Sequence, residues 1–148
     1  MSSQTDLAQE TTLWVRNTCL CLHSQRAARA LARRFDEALR PVKLTNGQFS
    51  LLISLNRLEP PTMGPTAALL GMDRTTLTAA LKPLERRGLV EVRADPADRR
   101  GRRLRLTAKG RALLRRAIPI WEQAHAATES LLPDADAEGL RAGLRALW

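Results

Sequence analysis

Between Leu81 and Gly110 the chain reads LKPLERRGLVEVRADPADRRGRRLRLTAKG, and its periodicity changes twice. A helical pattern stops at Gly88, since glycine enters the left-handed conformation that ends a helix without a steric cost. Leu89-Val90-Glu91-Val92-Arg93 then alternates as a strand does, and Arg102-Arg103-Leu104-Arg105-Leu106 answers it. Asp95-Pro96 and Arg100-Gly101 mark the connection, which predicts a hairpin with a long basic tip. Thr107 can cap the helix that follows. One short hairpin set between helices confines the chain to a mainly α fold with a small β unit, an α+β arrangement.

The rest of the chain reads as helices. From about Leu7 to Arg40, Leu13, Leu20, Ala27, Leu31, Phe35 and Ala38 recur at helical spacings and predict one long helix that Pro41 ends. Thr45 is a candidate N-cap for a second helix over Gly47–Leu58, whose run FSLLISL is apolar nearly all round and therefore buried from several sides. Glu59-Pro60-Pro61 breaks the chain. Thr62 can then cap a short helix with Pro65 in its first turn, ending at Leu70-Gly71. Asp73 is a candidate N-cap for the next helix, which buries Leu77, Ala80, Leu81 and Leu84 and leaves Arg74, Thr75, Thr76, Thr78, Lys82 and Arg86 outside. Two helices, the first short, joined by a glycine-containing turn form a helix-turn-helix. Pro83 inside the second removes a ladder hydrogen bond and predicts a kink.

Beyond the hairpin a helix runs to about Leu132, with the stripe Leu114, Ala117, Trp121, Ala124, Thr128 and Leu131 and a second kink at Pro119. A last short helix carries Leu140, Leu144 and Leu147.

The charge is confined to the same place as the hairpin. Of 24 Lys and Arg, 13 lie between Lys82 and Arg116 against four acids, so this window is net +9 and the remainder sums to zero. A basic stretch of that kind favours a polyanionic partner. Helix-turn-helix followed by a basic hairpin is a winged helix, here over residues 44–106. Its second helix fits a major groove, where Arg74, Thr75, Thr76, Thr78 and Lys82 have the exposure to meet bases and phosphates. Its wing offers Arg99, Arg100, Arg102 and Arg103 to the adjacent minor groove. The terminal helices, 7–40 and 107–148, are surplus to that unit, and each has an apolar stripe without a partner inside it. Two copies packed through them form a homodimer, which presents two recognition helices to the half-sites of a palindrome in double-stranded DNA.

Other classes fit poorly. A chain of 148 residues suits one domain. No run approaches the ~18 apolar residues of a membrane span, and the polar start MSSQTDLAQETT carries no signal pattern, so the expected location is cytoplasmic. No phosphate loop, paired carboxylates or nucleophile–base set appears, so no enzyme is expected and no cofactor is implied. Cys19-x-Cys21-x-His23 makes no tetrahedral metal set within a helix, where the two thiols would also point about 200° apart and could not bridge.

GMDRTTLTAALKPLERRGLVEVRADPADRRGRRLRLTAKG resembles the MarR family of bacterial transcriptional regulators. The most specific part is the wing, Asp98-x-Arg100 followed by Leu104-x-Leu106-Thr107-x-x-Gly110. The resemblance implies an obligate homodimer on a palindromic operator, usually a repressor, released by a small ligand or an oxidant. It also implies that Arg100 enters the minor groove and that Asp98 orients it by a salt bridge. An architectural DNA-binding protein without an effector is the remaining alternative among DNA binders.

Two kinds of signal are open. A small aromatic or phenolic anion could meet Trp14, Arg16, His23 and Phe49. Alternatively, Cys19 stands where the hydroperoxide-sensing branch of the family has its reactive cysteine, with His23 one turn away. That branch bonds its cysteine with tyrosines of the next helix. This chain contains no tyrosine and has Asn46 and Phe49 at the positions to match.

Overall fold

Four polar side chains start helices by accepting an otherwise unpaired backbone N–H. Thr45 takes that of Gln48, Asp73 that of Thr76, Thr107 that of Gly110 and Asp136 that of Gly139. At Thr45 the cap is reciprocal, since the Gln48 side chain accepts from the Thr45 N–H. In the computed structural model, which describes residues 7–148, these caps delimit an order of α1 (Gln9–Thr18), α2 (Leu20–Leu39), α3 (Asn46–Ser54), α4 (Met63–Leu70), α5 (Arg74–Arg86), β1 (Val90–Asp95), β2 (Asp98–Leu106), α6 (Ala108–Glu129) and α7 (Ala137–Arg145). Short 3₁₀ turns lie at Arg40–Val42 and Pro133–Ala135. No helix among the described residues is long and apolar enough to cross a membrane. The chain divides into two compact units, one ending at Arg34 and the other running Phe35–Trp148.

The single first helix expected over Leu7–Arg40 is two helices. Cys19 between them is extended (φ −66°, ψ 109°). The Thr18 hydroxyl back-bonds to the Trp14 carbonyl, which weakens the last turn of α1. Cys19 then opens α2 as an N-cap would: its carbonyl accepts from the His23 N–H at 3.1 Å, and its sulfur accepts from the Leu22 N–H at 3.4 Å. In α1 no residue is buried, and in α2 only Leu39 is. The described part of the first unit therefore has no core of its own.

The second unit holds the core. Leu39, Leu51, Leu52, Leu77, Leu84, Leu89, Leu104 and Leu106 are all at or below 2% exposed, so α2, α3, α5 and β2 each contribute a leucine and Leu89 adds one just before β1. Ala67 joins the same cluster from α4, and Leu114 and Ala117 join it from α6. The buried face of α5 is Leu77, Leu81 and Leu84, with Ala80 half-buried, and the helix continues through Pro83. Likewise α6 continues through Pro119 and ends at Glu129, leaving Leu131 exposed. Helix α3 stops at Ser54, whose hydroxyl takes the Leu51 carbonyl, so Leu58 falls outside it and is fully exposed. Gly71 (φ +64°) and Gly88 (φ +69°) close α4 and α5 in the left-handed conformation, as their positions predicted. Thr62 precedes α4 without a cap bond from its hydroxyl.

The hairpin differs most from expectation. Strands pair antiparallel from Val90↔Leu106 to Ala94↔Arg102, then shift so that Asp95 faces Asp98. The turn is only Pro96-Ala97, and Arg99, Arg100 and Gly101 bulge from β2 instead of forming a loop. Two carboxylates tighten it: Asp95 accepts from the Ala97 N–H and Asp98 from the Arg100 N–H, both at 3.0 Å.

Candidate nucleic-acid interface

The exposed face of α5 begins at its cap. Asp73 is held below the usual carboxylate range by the Thr76 N–H it accepts, so it stays ionised at neutral pH and fixes the first turn. Thr75, Thr76 and Thr78 are exposed, as are Arg74 and Lys82, and none of the cations is in an ion pair among the described residues. Two of these side chains have internal commitments. The Thr78 hydroxyl donates to the Arg74 carbonyl at 2.8 Å. The Arg74 guanidinium lies 3.6 Å from where a β-carbon on Gly64 would stand, so it leans on α4.

On the wing, Arg99, Arg100 and Arg102 are exposed and, among the described residues, free of carboxylates. The salt bridge expected between Asp98 and Arg100 is not formed, and the Asp98 carboxylate instead accepts the Arg100 backbone N–H. Asp98 thus shapes the bulge that carries Arg100 and leaves the guanidinium unbound. Arg102 turns one nitrogen to the Gly101 carbonyl at 3.1 Å.

Arg103 does different work from the other wing arginines. It is half-buried, its Nε donates to Asp95 Oδ1 at 3.2 Å and its Nη1 to the Pro60 carbonyl at 2.9 Å. The neighbouring Leu104 N–H donates to the Pro61 carbonyl at 2.8 Å, and Thr62 bridges Arg103 in antiparallel fashion. Residues 60–62 therefore lie as a short third strand along β2. Asp95 is held below the usual range first by the Ala97 N–H and then by Arg103. A depressed carboxyl pKa makes this brace complete above the ordinary aspartate range, and it is lost as pH falls through the lower folded value. Sequence reasoning grouped Arg103 with the DNA-facing arginines because Pro60 lies 43 residues away.

The residues proposed for signal reception are dispersed in character. Trp14 and Arg16 are exposed on α1, and Arg16 bonds only its neighbour Asn17. Cys19 is half-buried and Cys21 exposed, both as free thiols. His23 directs Nδ1 at the Cys19 carbonyl, 2.8 Å away, and not at its sulfur. The two sulfurs have separate partners, Cys19 Sγ accepting from the Leu22 N–H and Cys21 Sγ from the Gln25 amide. Phe49 is a core residue, 7% exposed and stacked on Trp121 at 6.0 Å, so it lines no open surface in this chain. Trp121 in turn stacks on His125 at 4.6 Å, a ladder the sequence analysis missed. Among the described residues no three metal-ligating side chains come together.

Comparison with known proteins adds the following. A family model described as "MarR family" matches residues 44–101. The transcriptional repressor MprA of Escherichia coli (strain K12) is 35% identical over 104 residues, covering 69% of this chain and 57% of that protein. The chain thus spans little more than half the length of this curated relative. The M. tuberculosis transcriptional regulator MosR, solved in complex with DNA, superposes with a TM-score of 0.80 at 43% identity, covering 87% of this chain and 92% of that one. The transcriptional repressor CouR bound to a 23-mer DNA duplex gives 0.79 at 32% identity, covering 90% and 94%. CouR from Rhodococcus jostii RHA1 bound to p-coumaroyl-CoA gives 0.75 at 26% identity, covering 88% and 92%.

Proposed function

The chain belongs to the MarR family of transcriptional regulators, and from that premise we propose that it is a homodimeric, sequence-specific repressor released from a palindromic operator by a small aromatic or phenolic anion. The observation that carries the proposal is the pairing of two charged probes in consecutive elements. Among the described residues, an α5 face without acid partners is followed directly by a wing whose Arg99, Arg100 and Arg102 have no carboxylate to neutralise them. The first turns of α5 would enter a major groove and read base edges. The bulged Arg100 would enter the neighbouring minor groove, where a planar guanidinium between close phosphate walls gains most. MosR and CouR, both solved with DNA, share this arrangement of elements over about nine-tenths of the chain.

The dimer reading rests on surfaces that one chain leaves uncovered. Leu13, Leu20 and Leu31 of the first unit are at least 37% exposed, and Leu140, Leu144 and Leu147 near the C-terminus at least 44%. Apolar stripes of that regularity need a partner, and a second copy of the same helices supplies one with two-fold symmetry. The aromatic effector is supported by CouR's complex with p-coumaroyl-CoA.

Arg100→Ala is expected to weaken operator binding by about 1–3 kcal/mol for each wing, with thermal stability unchanged. Arg103→Ala is expected to weaken binding as well, but with a lower melting temperature, because it removes the brace to Pro60 and Asp95. A mobility-shift titration in which Arg100→Ala binds as tightly as the parent sinks the wing assignment.

A second reading has its own observation, the break in the helix at Cys19. There the thiol sits at a helix start rather than mid-helix, half-buried and within reach of a small oxidant. A hydroperoxide would lose its O–O bond to the thiolate, leaving a sulfenic acid on Cys19 and an alcohol in solution. Under this reading Cys19→Ser abolishes release of operator DNA by cumene hydroperoxide. Release that persists in the variant excludes Cys19 as the sensor. An architectural binder would show neither response, nor the preference of about 4–10 kcal/mol for operator over unrelated DNA.

A further inference from the structure

Within the unit Phe35–Trp148, three segments far apart in sequence line a cavity of about 480 Å³ that is open to the surface. They are the turn after α2, the junction from α5 to β1, and the first turns of α6. The rim carries Lys43, Arg87, Lys109 and Arg116, and no acidic residue among those described lines it. The floor is apolar, with Val42 and Leu89 buried and Leu113 half-buried.

We propose that this cavity is a binding site for a small organic phosphate, with its phosphates on the cationic rim and an apolar or flat body on the floor. Three observations carry it. First, the cations are held together without a counterion. Arg87 Nη1 donates to the Lys43 carbonyl and Lys109 Nζ to the Arg87 carbonyl, each at 2.8 Å. Neutral carbonyls anchor the two side chains but cancel no charge. None of the four rim cations is in an ion pair among the described residues. A concave surface of one sign with low-dielectric walls focuses its field and concentrates anions.

Second, the charge count selects the ligand. A monocarboxylate would leave most of the rim unpaired, whereas a diphosphate spreads several oxygens over it, and guanidinium and ammonium groups both bind phosphate well. Third, the volume falls in the range of small-molecule pockets, roughly 300–1,000 Å³.

The cavity is separate from the DNA-reading face. Arg87 lies at the far end of α5 from Asp73, about 20 Å along the helix axis. It also joins the end of α5 to the start of α6, on either side of the wing, so an occupant would tie together the segments flanking it. That regulatory consequence rests on the proposed DNA-binding function; the binding site itself does not.

Lys43→Gln combined with Arg116→Gln is the informative variant, because neither side chain makes a hydrogen bond among the described residues and both are exposed. Calorimetric titration of the full chain at low salt, with ADP, pyrophosphate and adenosine as probes, gives the readout. ADP is expected to bind with 1:1 stoichiometry per chain, at least tenfold more tightly than adenosine, and at least tenfold more weakly to the double variant. Arg99→Ala with Arg100→Ala is expected to bind ADP as the parent does. Equal affinity of parent and double variant overturns the site, as does no saturable binding of ADP or pyrophosphate. If the wing variant loses ADP and the double variant keeps it, the anion was occupying the DNA-binding face and the site is overturned in that way. None of these outcomes depends on operator DNA, so failure of the repressor reading leaves the titration intact.

Discussion

Operator affinity is expected to fall by about four orders of magnitude between about 50 and 200 mM monovalent salt. The reasoning starts from charge placement. The window from Lys82 to Arg116 is net +9 and the rest of the chain sums to zero, so the excess charge of each chain is concentrated around the wing. If a dimer neutralises about eight phosphates, log K falls with log salt at a slope near −7, because each contact releases condensed counterions. Fluorescence anisotropy with a labelled operator, repeated over a salt series, measures that slope directly. A slope near −1 contradicts an interface dominated by phosphate contacts. Arg100→Ala is expected to make the slope less negative by no more than about one per wing, which separates loss of one contact from loss of the docked state.

Gly110→Ala is expected to destabilise the fold by about 3 kcal/mol or more. A β-carbon at this position would collide with the Leu89 carbonyl oxygen and stand 2.8 Å from Leu106 Cδ1. The Leu89 oxygen is main chain and already accepts the Thr107 N–H, so it cannot retreat without breaking the bond that sets α6 against the hairpin. The Gly110 N–H itself caps onto Thr107 Oγ1 at 3.0 Å. Relief therefore requires lifting α6 off β1, which exposes part of the core. In a domain of this size that cost corresponds to a fall of roughly 6–12 °C in Tm. Gly47→Ala is the control, since nothing lies within 4 Å of its β-carbon position. Equal melting temperatures for Gly110→Ala and the parent would show that the helix–hairpin junction is not close-packed.

What could be read from the sequence was what is encoded locally. Thr45, Asp73, Thr107, Gly71 and Gly88 mark helix ends by chemistry within three residues of themselves, and each stands where expected. Strand alternation in Val90–Arg93 and Arg102–Leu106 likewise located the wing. The break at Cys19 was hidden because a thiol rarely serves as a helix cap and neither glycine nor proline marks the spot. The tight turn was hidden because Arg-Gly at 100–101 resembles a loop, whereas it is a bulge shaped by Asp98. Arg103 and the basic cavity depend on bonds that span 43 and 44 residues, and a one-dimensional pattern carries no such signal. The exposed arginines were identified as a group, but their division into free and bracing members required coordinates.

The short pairing of residues 60–62 against β2 has one more consequence, for how the protein behaves when crowded. A two-stranded ribbon has two edges of unpaired backbone, each able to recruit a strand from another molecule. Here the β2 side is partly occupied by Thr62 and the Pro61 carbonyl, and the two prolines before Thr62 have no N–H to extend the ladder outward. Among the described residues β1 remains as the open edge, and it is short, lies opposite the β2 bulge at its tip and carries the Glu91–Arg93 ion pair. Charged side chains on a brief, twisted edge deter strand addition. The ribbon can therefore stand away from the body to meet a groove without acting as a template for fibrous self-association.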